Sequence, residues 1–371
     1  MPNPFSTKLA EAFSAKLMKE VYAISIFDSI VNRDYEGDIS EVGSIVNILS
    51  LAKVTEQTYT GANLNPQALY EVNGQLKITQ WKSFYWTEKT IDKWKSYIKE
   101  PKPTVVTQTA QERKKNVDKY VLGFWNRIAA GNRVGTDYVT GTVSIDVSGN
   151  VTGSGTTFTS SMVGKGFTCV GLPLAAYGGT KYYRIATYTD ATHISIQLDV
   201  YDDTVTAYDG GVITSATFTI QANTPVAITG TNIMQKLLAI QKILDDNEVP
   251  DENRSIVLPP AISQYIPVGT NIALNVPAAY EDLVKKGFIT ELVGFKIFKA
   301  SGQRVSGDNV NGWHVIASQI NWLTFADKVL NVGMEEDLIG NFGTAYKDLY
   351  VYDCKVTDNR LKFAAELFCT G

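Results

Sequence analysis

The amino-acid composition of this 371-residue chain changes abruptly at two places, and this division constrains the fold more than any other feature. Between about Thr136 and Ala222 the chain is rich in Thr, Gly, Tyr and Asp, and its only basic residues are Lys165, Lys181 and Arg184. Gly131 precedes this block and Pro225 follows it. Because a block with its own composition and such boundaries is typical of a separate domain, the sequence predicts a domain inserted into a second one.

Short β-rich stretches alternate with turn signals inside the central block. They include TGTVSIDV, KGFTCV, KYYRIATY, HISIQL and VITSATFTI, with a turn at Gly149-Asn150. Regularly spaced short strands with Gly- and Asp-containing turns indicate an antiparallel β-sandwich or barrel. We therefore expect residues 134–224 to form an inserted all-β domain.

Two extended runs before the block predict a long β-ribbon. Residues 44–58 are rich in β-branched side chains, residues 75–86 partly alternate, and Asn73-Gly74 is a tight-turn signal before the second run. An isolated two-stranded ribbon is marginally stable in water, so we expect this excursion, within residues 38–90, to lie on another surface. Its polar, basic and aromatic side chains are candidates for contacts with another subunit: Lys53, Glu56, Gln57, Lys77, Trp81 and Lys82.

Apolar residues at helical spacing predict amphipathic helices outside the block. An N-terminal helix capped by Ser6 or Thr7 carries Leu9, Phe13, Leu17 and Val21. A long helix, with a capping box at Thr109 and Glu112, carries Val117, Val121, Phe124 and Ile128. After the block, Thr229 or Thr231 caps a helix with Ile233, Leu237, Ile240 and Leu244, and residues 278–287 have helical character. Several strands follow near the C-terminus, so the flanking parts are α+β.

The composition provides few of the groups that catalysis or metal binding requires. The chain has two histidines, His193 and His314, and both lie in expected strands without a cysteine pair nearby, so a zinc site lacks ligands. The acidic residues Asp199, Asp202, Asp203 and Asp209 match no calcium-loop spacing and are interpreted as a solvated turn. No nucleophile elbow or phosphate loop is present. We therefore predict no catalytic site, no metal and no cofactor.

Charge and hydropathy exclude further classes. The formal net charge is −4, the opposite of the broad basic surface of a nucleic-acid-binding domain. No apolar run approaches the roughly 18 residues needed to span a bilayer. The three cysteines, Cys169, Cys354 and Cys369, are far apart in sequence and are interpreted as reduced thiols in a cytosol-like compartment.

The segment LLAIQKILDDNEVPDENRSIVLPPAISQYI resembles the major capsid proteins of tailed bacteriophages with the HK97 fold, particularly their P22-coat-like relatives. In that family a helix leads through a turn to a strand that ends in Pro-Pro. The matching residues are Val249, Pro250, Arg254, Pro259 and Pro260, followed by Gly294 and Phe295 at the start of an alternating strand. Near the C-terminus this chain has Asp353-Cys354 and Thr357-Asp358 where the family has Gly and Arg-Pro.

The resemblance implies an α+β HK97-like capsid fold with an inserted all-β domain. It implies an N-terminal arm (1–37), an E-loop ribbon (38–90), a peripheral domain with the spine helix (91–133), the insertion (134–224), an axial domain (225–320) and peripheral return strands (321–371). The function it implies is a non-enzymatic major capsid protein, assembling as hexamers and pentamers into an icosahedral head around double-stranded DNA.

The same resemblance implies the partners and the location. Portal and scaffolding proteins are expected partners, together with decoration or head-fibre proteins, and contact with packaged DNA is expected to be loose. Assembly is expected in the host bacterial cytoplasm, and the mature location is the virion capsid. Two alternatives stay open: another phage structural protein, such as a tail-tube or fibre subunit, and a carbohydrate-active enzyme whose Thr/Gly-rich block is a binding module.

Overall fold

The computed structural model describes residues 25–34, 45–51, 56, 71–89, 102–129, 131–172, 183–198, 207–266, 291–336 and 343–371. Strands β1–β21 and helices α1–α3 are numbered in chain order. The helices are α1 (Lys102–Val121), α2 (Ile233–Asp246) and α3 (Pro260–Ser263). The helices expected near residues 6–21 and 278–287 lie outside the described residues.

A central mixed sheet carries the main core. Its strands are β4 (Arg133–Val134), β13 (Val226–Ala227), β14 (Arg254–Leu258), β15 (Glu291–Leu292), β16 (Phe295–Lys299), β17 (Gly307–Asp308), β18 (Gly312–Gln319) and β21 (Ala364–Thr370). The order across the sheet is β13-β21-β18-β14-β16-β15, while β4 also pairs with β21 and β17 with β18. The last strand of the chain is therefore in the same sheet as residues 254–319, and the expected boundary between 225–320 and 321–371 does not separate two sheets.

One continuous apolar core joins the central sheet to both long helices. The apolar positions predicted for α2 are all buried in it, because their spacing places them on one helix face. Neither predicted threonine caps this helix. Asn232 occupies the N-cap position, and its side chain accepts a hydrogen bond from the Thr229 N–H (2.8 Å) and donates one to the Ala227 carbonyl (2.8 Å).

Helix α1 begins at Lys102, seven residues before the predicted capping box. Pro103 is tolerated there because the first helical N–H groups have no intrahelical acceptor. The Thr109 hydroxyl bonds to the Val106 carbonyl (2.9 Å) within the helix. A 3₁₀ turn, Leu122–Arg127, extends α1 towards the point where the central block begins.

Residues 45–51 and 71–77 form the two-stranded ribbon. Strands β1 (Ile45–Leu51) and β2 (Glu71–Lys77) are antiparallel, with Ile45 opposite Lys77 and Leu51 opposite Glu71. The predicted run 75–86 is not one ribbon strand, because it is broken at Ile78-Thr79. Its second half belongs to a three-stranded sheet, in the order β19-β20-β3, formed by β3 (Gln80–Lys89), β19 (Leu323–Glu336) and β20 (Gly343–Val356).

Part of the predicted N-terminal arm is packed on its own subunit. Phe27 and Val31 are buried in the main core, and the Asn32 N–H donates to the Leu323 carbonyl (2.9 Å). Residues 25–34 of the arm expected over residues 1–37 are therefore packed on the body, because this stretch has enough apolar surface to join the core. Residues 1–24 lie outside the described part.

The central block forms one eight-stranded antiparallel sheet with a core of its own. Its strands are β5 (Thr136–Tyr138), β6 (Thr142–Ile145), β7 (Asn150–Ser154), β8 (Gly166–Cys169), β9 (Tyr183–Asp190), β10 (His193–Leu198), β11 (Ile213–Ala216) and β12 (Phe218–Thr224). The order is β11-β6-β7-β10-β9-β8-β12-β5. Ile213 and Tyr138, from the two edge strands, pack against the same buried cluster around Phe218, so the sheet curls round one core.

Candidate assembly surfaces and their supports

The base of the ribbon is fixed by a buried carboxylate on β20. Asp353 accepts hydrogen bonds from the Thr79 N–H (2.9 Å), the Thr79 hydroxyl (2.6 Å) and the Tyr120 hydroxyl (2.7 Å). Burial raises the pKa of Asp353, while these hydrogen bonds lower it. The break between ribbon and sheet is therefore tied to α1, and the ribbon leaves the subunit from a defined point.

The predicted contact residues fall into two different places. Lys77 is exposed on β2, whereas Trp81 and Lys82 are exposed on β3 and therefore belong to the three-stranded sheet. Glu56 is exposed, and Lys53 and Gln57 lie outside the described residues. Trp81 and Lys82 are neighbours on one strand, so their side chains point to opposite faces of the sheet, and the structure does not bring the three residues to one surface.

A second aromatic residue, Tyr85, is more exposed than Trp81, at 64% against 51%. It lies on the same face of β3, four residues further along. Trp81, Phe84, Tyr85 and Trp86 are close together in the sequence, and the alternation within β3 places Trp81 and Tyr85 on one face and Phe84 and Trp86 on the other.

A second buried carboxylate holds the N-terminal segment. One oxygen of Asp118 on α1 accepts from the Ser25 hydroxyl (2.9 Å) and from the Ile26 and Phe27 N–H groups (3.0 and 2.9 Å). Its other oxygen accepts from Arg304 at 2.6 Å. Sequence reasoning missed this pair, because the two residues are 186 positions apart.

The residues that carried the family resemblance form a rigid turn after α2. Glu248 has a φ of 56°, and the Val249 N–H reaches the Leu244 carbonyl (3.0 Å), which is the Schellman ending of a helix. The Arg254 guanidinium is buried and bonds to Asp245 (2.6 Å), to the Pro250 carbonyl (3.0 Å) and to the Val249 carbonyl. The family motif therefore marks a helix end that is held by one arginine.

Replacing Arg254 by Met is expected to destabilise the fold by about 3 kcal/mol, because two backbone carbonyls lose a buried donor. Urea unfolding followed by circular dichroism measures this. The matched control is Lys242→Met on helix α2, where Lys242 forms an exposed ion pair with Asp246 whose loss costs at most about 0.5 kcal/mol. Equal effects of the two substitutions contradict the role given to Arg254.

The remaining motif residues form the ends of two neighbouring parallel strands. Pro259 follows β14 and Pro260 is the first residue of α3, a position where proline is favoured. Val293 and Gly294 have φ values of 51° and 71°, which is a two-residue type I′ hairpin between β15 and β16. Phe295, directly after this turn, is buried in the main core.

The central block attaches to the body through the last strand of the chain. Strands β4 and β13, which precede and follow the block, both pair in parallel with β21. Arg133 forms a buried ion pair with Glu366, and Glu366 also contacts Nδ1 of His314 at 2.6 Å. The His314 ring stacks on Trp125 (3.6 Å between ring centroids), and Lys165 of the block lies over the neighbouring ring of Phe368.

Burial, together with the positive charges of Arg133 and Lys165, lowers the pKa of His314 to about 3. In the unfolded chain a histidine has a pKa near 6.5, so the unfolded state binds a proton that the folded state excludes. Titration of His314 therefore does not reduce the free energy of unfolding above about pH 6.5. As the pH falls from 6.5 towards 3, it reduces this free energy by up to about 1.4 kcal/mol per pH unit.

Between pH 6.5 and 4.5 the variant His314→Gln is expected to lose about 2 kcal/mol less stability than the unaltered chain. Urea unfolding at the two pH values measures this difference. His193→Gln is the control, because His193 is exposed beside Asp190 on the surface of the block. If both variants show the pH dependence of the unaltered chain, the buried imidazole is not its source.

The described residues contain no group of three or more His, Cys, Asp or Glu side chains placed to hold a metal ion. Asp209 accepts a hydrogen bond from the Tyr183 hydroxyl (2.9 Å), whereas Asp199, Asp202 and Asp203 lie outside the described part. None of the helices in the described ranges is long and apolar enough to cross a membrane.

The fold is that of phage capsid structures. A structure described as Mycobacterium phage Che8 is 15% identical, with a TM-score of 0.62 over 98% of this chain and 97% of its own. The capsid structure of the cyanophage P-SCSP1u is 13% identical, with a TM-score of 0.57 over 98% and 94%. The asymmetric unit of the bacteriophage PhiM1 mature capsid is 10% identical, with a TM-score of 0.55 over 97% and 92%.

No protein-family model matches the sequence, and no curated protein is significantly similar to it. The structural likeness extends over nearly the whole chain, the central block included. The chain therefore has the α+β HK97-like capsid fold.

Proposed function

We propose that this chain is the major capsid protein of a tailed bacteriophage, a structural subunit without catalytic activity. It assembles as hexamers and pentamers into an icosahedral head around double-stranded DNA. The observation that carries the proposal is the full-length likeness to phage capsid structures. That likeness favours a head protein over a tail-tube or fibre subunit and over a carbohydrate-active enzyme.

The ribbon gives the proposal a physical mechanism. Its strands β1 and β2 pair with each other and join no other sheet in the described part, and the buried ribbon residue Leu76 lies in a small cluster at the base of the ribbon and not in the main core. A ribbon of this kind gains stability by lying across a neighbouring subunit. We assign this role to the E-loop segment 38–90, with Lys53, Glu56, Gln57, Lys77, Trp81 and Lys82 at the contact.

The other segments receive roles in the shell. Residues 1–24 are the part of the N-terminal arm available for a neighbour, α1 is the spine helix, and the central sheet with α2 lies towards the capsomer axis. The turn and strand ends at Val249, Pro250, Arg254, Pro259, Pro260, Gly294 and Phe295 keep that part rigid.

Charge distribution supports an outer location for the central block. It has three basic and seven acidic residues between 136 and 222, so the remaining 31 basic and 31 acidic residues leave the rest of the chain neutral. A block that carries the whole net charge of −4 is repelled by packaged DNA, which is polyanionic. On the outside it is accessible to a decoration or head-fibre protein.

The further partners follow from this role. A portal protein occupies one vertex, a scaffolding protein assists assembly, and contact with packaged DNA stays loose. Assembly takes place in the host bacterial cytoplasm, and the product is the virion capsid.

Electron microscopy of the purified protein tests the proposal. The expected result is closed polyhedral shells of uniform size, with matching fast-sedimenting particles in the ultracentrifuge. Rods, trimeric fibres or a strictly monomeric protein at high concentration contradict it.

A further inference from the structure

A column of stacked side chains joins the end of α1 to the central block. The Trp125 ring, in the 3₁₀ turn after α1, stacks on the His314 imidazole at 3.6 Å between centroids, and the imidazole stacks on the Phe368 ring at 4.7 Å. The ammonium group of Lys165, which belongs to the block, lies over the Phe368 ring at 5.5 Å from its centroid. The imidazole is therefore close to the surface where the block meets the body.

Both ends of the block pass close to Phe368. An idealised Cβ on Gly135, directly before the block, lies 3.1 Å from the Cβ of Phe368. An idealised Cβ on Gly312 lies 2.5 Å from the Phe368 ring and 3.0 Å from Pro225, which directly follows the block. The strands on either side of the block, β4 and β13, both pair with β21, which carries Phe368. A change at β21 therefore reaches both connections of the block.

One buried carboxylate serves two basic side chains at this point. Glu366 is fully buried, and its Oε2 accepts a hydrogen bond from the Arg133 guanidinium, while its Oε1 lies 2.6 Å from Nδ1 of His314. Because the pKa of His314 is low, the imidazole is neutral at pH 7 and donates its Nδ1–H to the carboxylate. Arg133 therefore provides the positive charge that this buried carboxylate needs.

Keeping Arg133 in this buried position costs free energy. Its guanidinium also donates to the carbonyls of Trp125 (3.3 Å) and Ile128 (2.8 Å), but its Nε has no hydrogen-bond partner among the described residues. Burial lowers the pKa of Arg133 to about 10, and the nearby charge of Asp137 opposes this change. The pairing with Glu366 therefore has to offset the cost of burial, and a second cation on this carboxylate would allow Arg133 to return to water.

Protonation of His314 supplies such a cation. The elements packed around the imidazole carry the following charged side chains: Arg127 of the 3₁₀ turn, Arg133 on β4, Asp137 on β5, Lys165 of the block, Asp308 on β17 and Glu366 on β21. Asp308 is exposed and accepts hydrogen bonds within its own turn, and Glu366 is the carboxylate that contacts the imidazole. An imidazolium therefore shares Glu366 with Arg133 and is repelled by Arg133 and Lys165.

We propose that these groups form an acid-operated latch: in acid, protonated His314 replaces Arg133 on Glu366, and the block is released from the body while both parts stay folded. The imidazolium then balances the charge of Glu366, and Arg133 and Lys165 move into water with β4 and the block. Because each part has a hydrophobic core of its own, the release requires neither part to unfold. The latch is a property of the single subunit and does not depend on assembly.

Hydrogen exchange measured by mass spectrometry tests the release. In the unaltered chain the equilibrium constant for opening the pairing of β4 with β21 is expected to rise about fiftyfold between pH 6.5 and 4.5, after correction for the intrinsic exchange rate. Peptides from β9 and β10 of the block and from β19 and β20 of the body are expected to stay protected. In His314→Gln the rise at β4 is expected to be less than about threefold, whereas the control His193→Gln keeps the full rise.

Three outcomes of the exchange measurement overturn the proposal. The first is an opening at β4 that does not change with pH. The second is an equal rise in all peptides, which means that the whole chain unfolds and that the block is not released as a folded part. The third is a full rise in His314→Gln, which means that another group titrates.

The pKa of His314 tests the competition for Glu366 separately. The chain has two histidines, so NMR titration of the isotope-labelled imidazoles, below the assembly concentration, reports His314 with His193 as the internal reference. In Arg133→Met the imidazolium gains Glu366 without a competitor, and the pKa of His314 is expected to rise from about 3 to about 6.5 or above. In Arg133→Lys, which keeps a cation on Glu366, it is expected to stay below about 5.

Circular dichroism first establishes that both arginine variants are folded. A His314 pKa that stays low in Arg133→Met, or that rises equally in Arg133→Lys, overturns the competition and with it the latch. The exchange measurement on His314→Gln needs neither variant, so the proposal is tested even if Arg133→Met does not fold.

Discussion

A variant in which residues 46–76 are replaced by a short Gly-Ser linker is expected to fold but to form no particles at concentrations where the unaltered chain assembles. Ile45 and Lys77 lie directly opposite each other in the ribbon, so a few residues span the gap. If the ribbon contributes about 3–4 kcal/mol to the binding free energy of each contact with a neighbour, its removal raises the protein concentration needed for assembly by several hundredfold. Light scattering against protein concentration measures this.

The body of the subunit is expected to tolerate this deletion. Of the ribbon side chains that the structure describes, the deletion removes only Leu76 from a core, and that core is the small cluster with Ile78 and Val351 and not the main one. Leu76→Ala in the full-length ribbon is therefore the control for lost packing at the base. A deletion variant that still forms normal shells, or an alanine variant that fails as completely, contradicts the role of the ribbon.

Excision of residues 136–224 is expected to leave two parts that each fold. An idealised Cβ on Gly135 lies 3.7 Å from the Thr224 carbonyl oxygen, and Thr136 pairs with Thr224, so the ends of the block are adjacent. Among the residues that the structure describes, none of residues 136–224 belongs to the main core, and no residue of the body belongs to the block's core. Two-dimensional NMR of the isolated block and circular dichroism of the joined body are expected to show folded proteins.

Phe218→Ala in the full-length chain is the control for this independence. The Phe218 ring contacts Tyr138, Phe158 and Phe167 at the centre of the block's core, and its truncation costs about 3–5 kcal/mol. The substitution is expected to lower the melting temperature of the block and to leave the melting temperature of the body unchanged. A single transition that shifts as a whole, or a body that is unfolded after excision, shows that the block is not a separate unit.

The sequence was informative where periodicity or local turn chemistry decides the structure. The apolar residues of α2 and the second half of α1 are buried as their spacing predicts, because one helix face meets the core. The motif from Val249 to Pro260 indicated a local arrangement that does not depend on distant residues. The alternation of β-rich stretches and turns likewise indicated the strands of the central block.

Long-range contacts explain what could not be predicted. Asp118 with Arg304, and Arg133 with Glu366, are separated by 186 and 233 residues, and no local pattern marks either pair. The break at Ile78-Thr79 was hidden inside an extended run, because Asp353 on a distant strand creates it by bonding Thr79. The assignment of residues 364–370 to the central sheet depends on pairing with β18, which sequence periodicity does not specify.

A cryo-electron microscopy reconstruction of the assembled particles tests the central claim most directly. The expected map shows an icosahedral shell of hexamers and pentamers in which each ribbon lies across a neighbouring subunit and each central block is on the outer surface. A map in which the ribbon folds back over the three-stranded sheet of its own subunit, or particles without closed shells, contradicts the account.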